Sequence, residues 1–201
     1  MLVGTIQFPA FTGLRCLMMP YIQGDPLSVP EPFRRYEDIL QSVFVRKGDI
    51  GFLTIDESVA TAGTPHRGAR AKHGRALHTE AGKLPGTIYN WGGTVCGGKP
   101  NVTLDPDVAI LLANSLDDSC ALWDATHDDT SLDGDIGYAA LQYPYSDAVL
   151  MKSGEVHRIG ILTPHESLPV RETVERQFLR IVSAGVHGRE TYFTQNPMMS
   201  V

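Results

Sequence analysis

In the stretch PEPFRRYEDILQSVFVRKG the apolar residues Tyr36, Ile39, Leu40, Val43 and Phe44 recur at intervals of three and four, so they share one face of a helix. Pro32 suits a first helical turn and Gly48 an exit, and the pattern predicts a helix over about 32–46 with one face on a core. After Gly48 the helical period is lost. Short apolar runs bounded by Gly, Pro, Asp and Ser follow, which is the punctuation of strands. The predicted strands are DIGFLTI (49–55), RALHT (75–79), GTIYNWG (86–92), VAILLANSL (108–116), CALWDAT (120–126), DAVLMK (147–152), EVHRIGIL (155–162) and RQFLRIV (176–182). Asp117 with Asp118, and Ser153 with Gly154, predict two hairpin turns. The run 108–116 lacks alternation and follows Asp105 and Pro106, a fair helix start, so it is read as a strand against a helical alternative.

Eight short strands predict a mainly β protein with a few flanking helices, of the jelly-roll, double-stranded β-helix or cupin-like kind. The barrel spans about residues 48–185. No internal repeat, low-complexity tract or linker divides the chain, so 1–201 reads as a single domain. A chain of 201 residues buries roughly 70% of its unfolded surface, so it needs neither a disulfide nor a structural metal merely to fold.

Composition changes this picture mainly by exclusion. The net charge of −6 argues against non-specific attachment to nucleic acid or to an anionic membrane, and leaves a small molecule as the expected partner. The basic run HRGARAKHGR (66–75) is the exception; it reads as a solvated loop, with capture of an anionic substrate as the alternative. Cys16, Cys96 and Cys120 form no even set and no metal-finger spacing, which fits a reduced, cytoplasmic setting. The apolar N-terminal segment has no basic lead-in and is broken by Pro9, Gly13 and Arg15, so it is not read as a signal peptide. No run approaches the ~20 apolar residues of a membrane span.

Two triplets carry candidate chemistry. Residues two apart on extended chain project to the same side, so a His-x-carboxylate pair at a strand end can offer two ligands of a facial two-His-one-carboxylate metal site. His78 and Glu80 in GRALHTEAGKLPG meet this requirement, and so do His127 and Asp129 in WDATHDDTSLDGD. About six predicted strands follow His78, enough to bring a later His and a cationic anchor round the barrel, whereas few follow His127. The first pair is therefore favoured and the second stays open. His157 and His165 are both available as the third ligand.

The stretch LTPHESLPVRETVERQFLRI (162–181) resembles the closing part of the Fe(II)/2-oxoglutarate-dependent oxygenase superfamily, the group that includes the isopenicillin N synthase-like enzymes. The resemblance implies His165 as the distal metal ligand. It also implies that Arg176, eleven residues on, holds the far carboxylate of 2-oxoglutarate, with His157 in reserve. Arg180 shares a strand face with Arg176 and is read as a structural partner. A planar guanidinium can meet a carboxylate with two parallel hydrogen bonds, which a lysine cannot. The implied cofactors are Fe(II) and 2-oxoglutarate, with O2 as co-substrate, and the implied activity is oxidation of a small molecule by hydroxylation, desaturation or cyclisation. Glu80 departs from the Asp usual in that superfamily; it resembles the His-x-Glu of clavaminate synthase-like enzymes, which points towards an amino acid or a derivative. The resemblance covers about residues 48–185 in architecture, but its specific part is confined to HTE and 162–181.

Tyr89 and Asn90 in GTIYNWGG are further candidates for holding the co-substrate, against a role as ordinary barrel-face residues. Glycines 92, 93, 97 and 98 match no nucleotide-binding pattern. The terminal HGRETYFTQNPMMSV reads as a tail or a lid. Two alternatives to the oxygenase remain: an iron oxidase that needs no 2-oxoglutarate, and a cupin-like protein that binds a small ligand without turnover.

Overall fold

The structure, a computed structural model, describes residues 1–65, 74–84, 88–91, 102–128, 134–188 and 193–199. It is mainly β. In chain order the strands are β1 (Leu2–Thr5), β2 (Arg15–Ile22), β3 (Ile50–Ala60), β4 (Leu77–His78), β5 (Ala81–Leu84), β6 (Ile88–Trp91), β7 (Thr103–Leu104), β8 (Ala109–Asn114), β9 (Cys120–Leu122), β10 (Val149–Leu150), β11 (Glu155–Gly160), β12 (His165–Ser167), β13 (Val174–Val182) and β14 (Val186–His187). They form three antiparallel sheets, ordered β1-β11-β8-β13-β3-β2, β10-β9-β12-β4 and β14-β7-β6-β5.

The first sheet is covered on both faces, which is why its central strands read as unbroken apolar runs. On one face Leu53 and Ile55 of β3, Leu111 and Ala113 of β8, and Leu179 and Ile181 of β13 pack against Tyr36, Ile39 and Leu40 of the helical segment. On the other face Phe52, Ile110, Leu112 and Val182 meet Ala81, Trp91, Leu104 and Leu122 from the two smaller sheets. The strand reading of 108–116 therefore holds, shortened to β8, whose six residues are all buried. The spine of the sheet is β3 on β13, in register from Val174 opposite Ala60 to Val182 opposite Phe52.

The predicted helix is shorter than 32–46. A 3-10 segment (Glu31–Tyr36) leads into a single α-helix, α1 (Glu37–Ser42), and Val43 is already extended. The Ser42 hydroxyl turns back onto the Asp38 carbonyl at 2.7 Å, and the Gln23 side chain takes the Val45 N–H at 2.9 Å. That bond, with the β-branched Val43 and Val45, favours leaving the helix there.

Neither predicted hairpin is one. Asp118 and Gly154 do turn the chain, at φ of 56° and 76°. But the first turn leads from β8 in the first sheet to β9 in the second, and the other leads from β10 back to β11. They are corners between sheets, and they lie against each other: Asp118 N–H donates to Met151 C=O, and Ser153 N–H to the Asp117 carboxylate.

The strand after Gly48 runs on through Asp56, Glu57 and Ser58 to Ala60, and residues 75–79 shrink to β4. The described part of the C-terminus, 193–199, is docked rather than a free tail. Phe193 joins the core beside Phe52 and Trp91, and Thr194 exchanges hydrogen bonds with Leu17 of β2. No described helix is long and apolar enough to cross a membrane.

Candidate metal centre

β4 and β12 are neighbours in the second sheet, with His78 directly opposite His165. Backbone alternation then turns Thr79 away, its hydroxyl donating to the Ala81 carbonyl at 2.7 Å, and returns Glu80 to the side of His78. One ligand atom from each of His78, Glu80 and His165 lies within 4.8 Å of the other two, and all three residues are buried. These three side chains can hold a metal ion. Two imidazoles and a carboxylate are a suitable donor set for a first-row divalent cation.

The imidazoles are oriented for ligation. His78 Nδ1 lies 2.7 Å from the Ala76 carbonyl and His165 Nδ1 lies 2.9 Å from the Thr163 carbonyl. A carbonyl can only accept, so each Nδ1 carries the proton and each Nε2 keeps its lone pair for a cation. His165 Nε2 stands 3.4 Å from Glu80 Oε1.

Glu80 is also held by Arg180, whose Nη1 lies 3.0 Å from both carboxylate oxygens. The Arg180 guanidinium sits over the Trp91 ring, 4.7 Å from its centre, so β6 of the third sheet forms one wall. Burial pushes the Glu80 carboxyl pKa up, but Arg180 and the two imidazoles outweigh it and hold the group well below the usual carboxylate range. Glu80 is thus an anion ready to meet a cation.

The peptide between the ligands has its own supports. Thr79 N–H donates to Gly134 C=O at 2.8 Å, and Gly134 has φ of 72°. A Cβ on Gly134 would collide with the Thr79 carbonyl, so both conformation and space require glycine there. Arg75, taken from the sequence as part of a basic loop, instead lies inward. It donates through Nε to Glu166 at 2.9 Å and through Nη1 to the Ala140 and Tyr143 carbonyls, with its guanidinium 4.4 Å from the Tyr145 ring centre. Glu166 adjoins His165 and accepts the Ala76 N–H at 3.2 Å, while the Ala76 carbonyl receives His78. One clamp therefore braces both histidines. Residues 66–73 of the basic run lie outside the described residues.

Arg176 lies on the same face of β13 as Arg180, about 13 Å along an extended strand. It is 3% exposed, and its Nε and Nη1 have no hydrogen-bond partner among the described residues. Its guanidinium lies 5.4 Å from the Phe178 ring centre. Burial lowers its pKa, offset in part by Cys120 and Asp56. Buried guanidinium donors that make no hydrogen bond are costly, and such a group fits a site for an anion.

The other sequence candidates lie elsewhere. His157 is on β11, its Nε2 3.0 Å from Glu155, and it does not join the three-residue cluster. His127 lies between Tyr143, at 2.8 Å from Nδ1, and Tyr138, at 3.3 Å from Nε2; Asp129 is outside the described residues. Tyr89 is partly buried and Asn90 fully buried on β6, next to Trp91. Cys16 and Cys120 are free, buried thiols, each pushed up to about 12 by burial. Cys96 and glycines 92, 93, 97 and 98 lie outside the described residues. The sequence reading missed Trp91 as the surface under Arg180, the Arg75–Glu166 clamp and Gly134. Only the parity of Arg176 and Arg180 hinted at the first of these.

Comparison of the chain with protein-family models, with curated proteins and with solved structures finds no match.

Proposed function

We propose that this protein is a non-haem Fe(II)- and 2-oxoglutarate-dependent oxygenase that oxidises a small molecule, an amino acid or a derivative of one. The observation that carries the reading is the buried His78–Glu80–His165 cluster with both Nδ1 atoms engaged by backbone carbonyls. Arg176 supports it, as a buried guanidinium on the face of β13 from which Arg180 reaches Glu80, with Nε and Nη1 making no hydrogen bond.

Strand pairing supports a double-stranded β-helix. Taking β3, β4, β8, β9, β10, β11, β12 and β13 as the first to eighth strands of a roll, β3 pairs with β13, β4 with β12, β8 with β11 and β9 with β10. That is the pairing of one long hairpin. The further pairs β13 with β8 and β12 with β9 are those made when such a hairpin is rolled into two facing sheets.

When bound, Fe(II) supplies the oxidation chemistry: O2 is reduced, 2-oxoglutarate is converted to succinate and CO2, and one oxygen atom is available for the substrate. His78 and His165 present neutral Nε2 atoms, Glu80 supplies one negative charge, and Arg176 takes the far carboxylate of 2-oxoglutarate. Arg180, seated over Trp91, holds both oxygens of the Glu80 carboxylate. The apolar residues Ile110, Leu112 and Leu122 keep water from the interior around them.

The test is an anaerobic titration of the metal-free protein with Fe(II) and then 2-oxoglutarate, following the weak visible charge-transfer band of the chelate. Wild type shows the band; Glu80→Ala and Arg176→Ala lose or weaken it. Metal binding without a band supports instead the oxidase or the ligand-binding alternative, and no metal binding overturns the cluster as a metal site.

A further inference from the structure

We propose that the C-terminal segment 193–196 braces the metal centre, with Phe193 and Thr194 positioning Arg180 and, through it, the Glu80 ligand. The inference rests on reading His78, Glu80 and His165 as a metal site, and on neither the identity of the metal nor the reaction.

The segment lies along β2, the last strand of the first sheet. An edge strand leaves backbone groups without a ladder partner, and this segment supplies partners. Thr194 N–H donates to Leu17 C=O at 2.8 Å, and the Thr194 hydroxyl accepts Leu17 N–H at 2.9 Å. The Asn196 amide donates to the Pro20 and Ser28 carbonyls, both at 2.7 Å, while its oxygen accepts Met198 N–H at 2.9 Å. A segment bonded in this way is part of the fold.

Two of its contacts continue to Arg180. Between Cys16 and Met19 the strand bulges, so that Leu17 and Met18 face the single residue Thr54 of β3. Met18 sits at φ of 48°, a left-handed conformation that residues with a Cβ rarely adopt, so its neighbours must hold it. Leu17 is bonded through both N–H and C=O to Thr194, and Met18 N–H donates to the Thr54 hydroxyl at 3.0 Å. Thr54 stands directly opposite Arg180, whose Nη2 lies 3.4 Å from that same hydroxyl oxygen.

The second route is aromatic. Phe193 meets Trp91 edge-on, with ring centres 6.4 Å apart, and the Trp91 ring carries the Arg180 guanidinium. Arg180 then reaches both oxygens of Glu80. Thr54 and Trp91 are thus the supports of Arg180 besides the ligand itself, and the segment stands behind each. A guanidinium is a planar fork, so a shift of either support changes how the Glu80 carboxylate is presented to a cation.

Co(II) titration of the metal-free protein, read by the d–d spectrum, tests the brace. Phe193→Ala should bind Co(II) about tenfold more weakly, with an altered spectrum. Phe193→Leu and Thr194→Val, which disturb folding less, should show smaller changes in the same direction, whereas Thr194→Ser keeps the hydroxyl and should bind as wild type does. Leu40→Ala opens a cavity in the helix-covered layer and provides the comparison: a lower unfolding midpoint with wild-type Co(II) affinity and spectrum.

Variants Phe193→Leu and Thr194→Val that unfold earlier but keep the wild-type affinity and spectrum overturn the brace and leave the metal site standing. Equal weakening in Leu40→Ala also overturns it, because the effect then follows stability alone. Wild type that binds no Co(II) overturns both the metal site and its brace.

Discussion

His78 and His165 stand directly opposite each other in the β4–β12 pair, with ring centres 4.0 Å apart and both Nδ1 atoms engaged by carbonyls. Rings so close repel if both are protonated, but two lone pairs directed at one cation bind it cooperatively with Glu80. His165→Ala should therefore weaken divalent metal binding by more than the roughly 10–100-fold typical of losing an outer-shell partner. Titration with Co(II), followed by its visible d–d spectrum, checks this. An unchanged affinity removes His165 from the site.

Arg176 gives a prediction in two opposite directions. Replacing a buried guanidinium whose Nε and Nη1 make no hydrogen bond by an apolar residue removes a desolvation cost that Asp56 offsets only in part, so Arg176→Met should raise the stability of the ligand-free protein by about 1 kcal/mol. The same change should abolish 2-oxoglutarate binding, and Arg176→Lys should weaken it by at least about tenfold although the charge is kept. Chemical denaturation without ligand and calorimetry with it read the two effects. A destabilised Arg176→Met would mean that the guanidinium is paired in the folded protein.

The Arg75–Glu166 clamp acts on the metal centre through backbone. Glu166 is 3% exposed and holds Arg75, the Ala76 N–H and the Tyr145 hydroxyl together, so Glu166→Ala strands a partly buried guanidinium and should cost about 3 kcal/mol. Because the Ala76 peptide also orients His78, the variant that still folds should bind Co(II) about tenfold more weakly, with an altered d–d spectrum. Loss of stability with a wild-type spectrum would confine the clamp to a structural role.

Gly134 has no such tolerance. Its positive φ and its contact with the Thr79 carbonyl lie between the two ligands of one strand end. Gly134→Ala should lower stability by about 1–3 kcal/mol and metal affinity with it, because the only relief is to move Thr79. Equal metal affinity in the alanine variant would show that the Thr79 peptide can shift without displacing His78 or Glu80.

Two of the three clustered residues were readable in the sequence for a physical reason, since alternation along a strand ties His78 to Glu80; chain order left His157 and His165 both open, and only the resemblance of 162–181 favoured His165. The polar half of β3 was not readable. Thr54, Asp56 and Ser58 point to the interior of the fold, so their polarity resembles a loop when no partner strand is in view. Asp118 and Gly154 announced reversals but could not say which sheet the next strand would join, and both hairpins became corners. Arg75 with Glu166, 91 residues apart, is a relationship between distant parts of the chain that no local pattern encodes. Helix α1 ended early for a similar reason, since the side chain that takes the Val45 N–H belongs to Gln23.

Glu57 provides a pH test remote from the metal centre. Its carboxylate lies on the helix-covered face of β3, where Oε2 accepts Thr12 N–H at 2.6 Å, the Thr12 hydroxyl at 3.0 Å and Leu14 N–H at 3.1 Å, and Oε1 accepts the Tyr36 hydroxyl at 2.8 Å. Burial pushes its pKa up, but the donors of Thr12, Tyr36 and Leu14 outweigh it and hold the group below its ordinary value of 4.5. A folded-state pKa below the unfolded one means that the stabilisation is fully present above 4.5 and is lost as pH falls through the lower, folded value. Glu57→Gln keeps the shape and removes the charge, so it should be less stable than wild type at pH 7 and lose less on acidification from about pH 5 to about pH 3. Urea unfolding across that range, followed by circular dichroism, should give two stability curves that converge towards low pH. Parallel curves would mean that the Glu57 charge contributes nothing to holding Thr12 and Leu14 against the sheet.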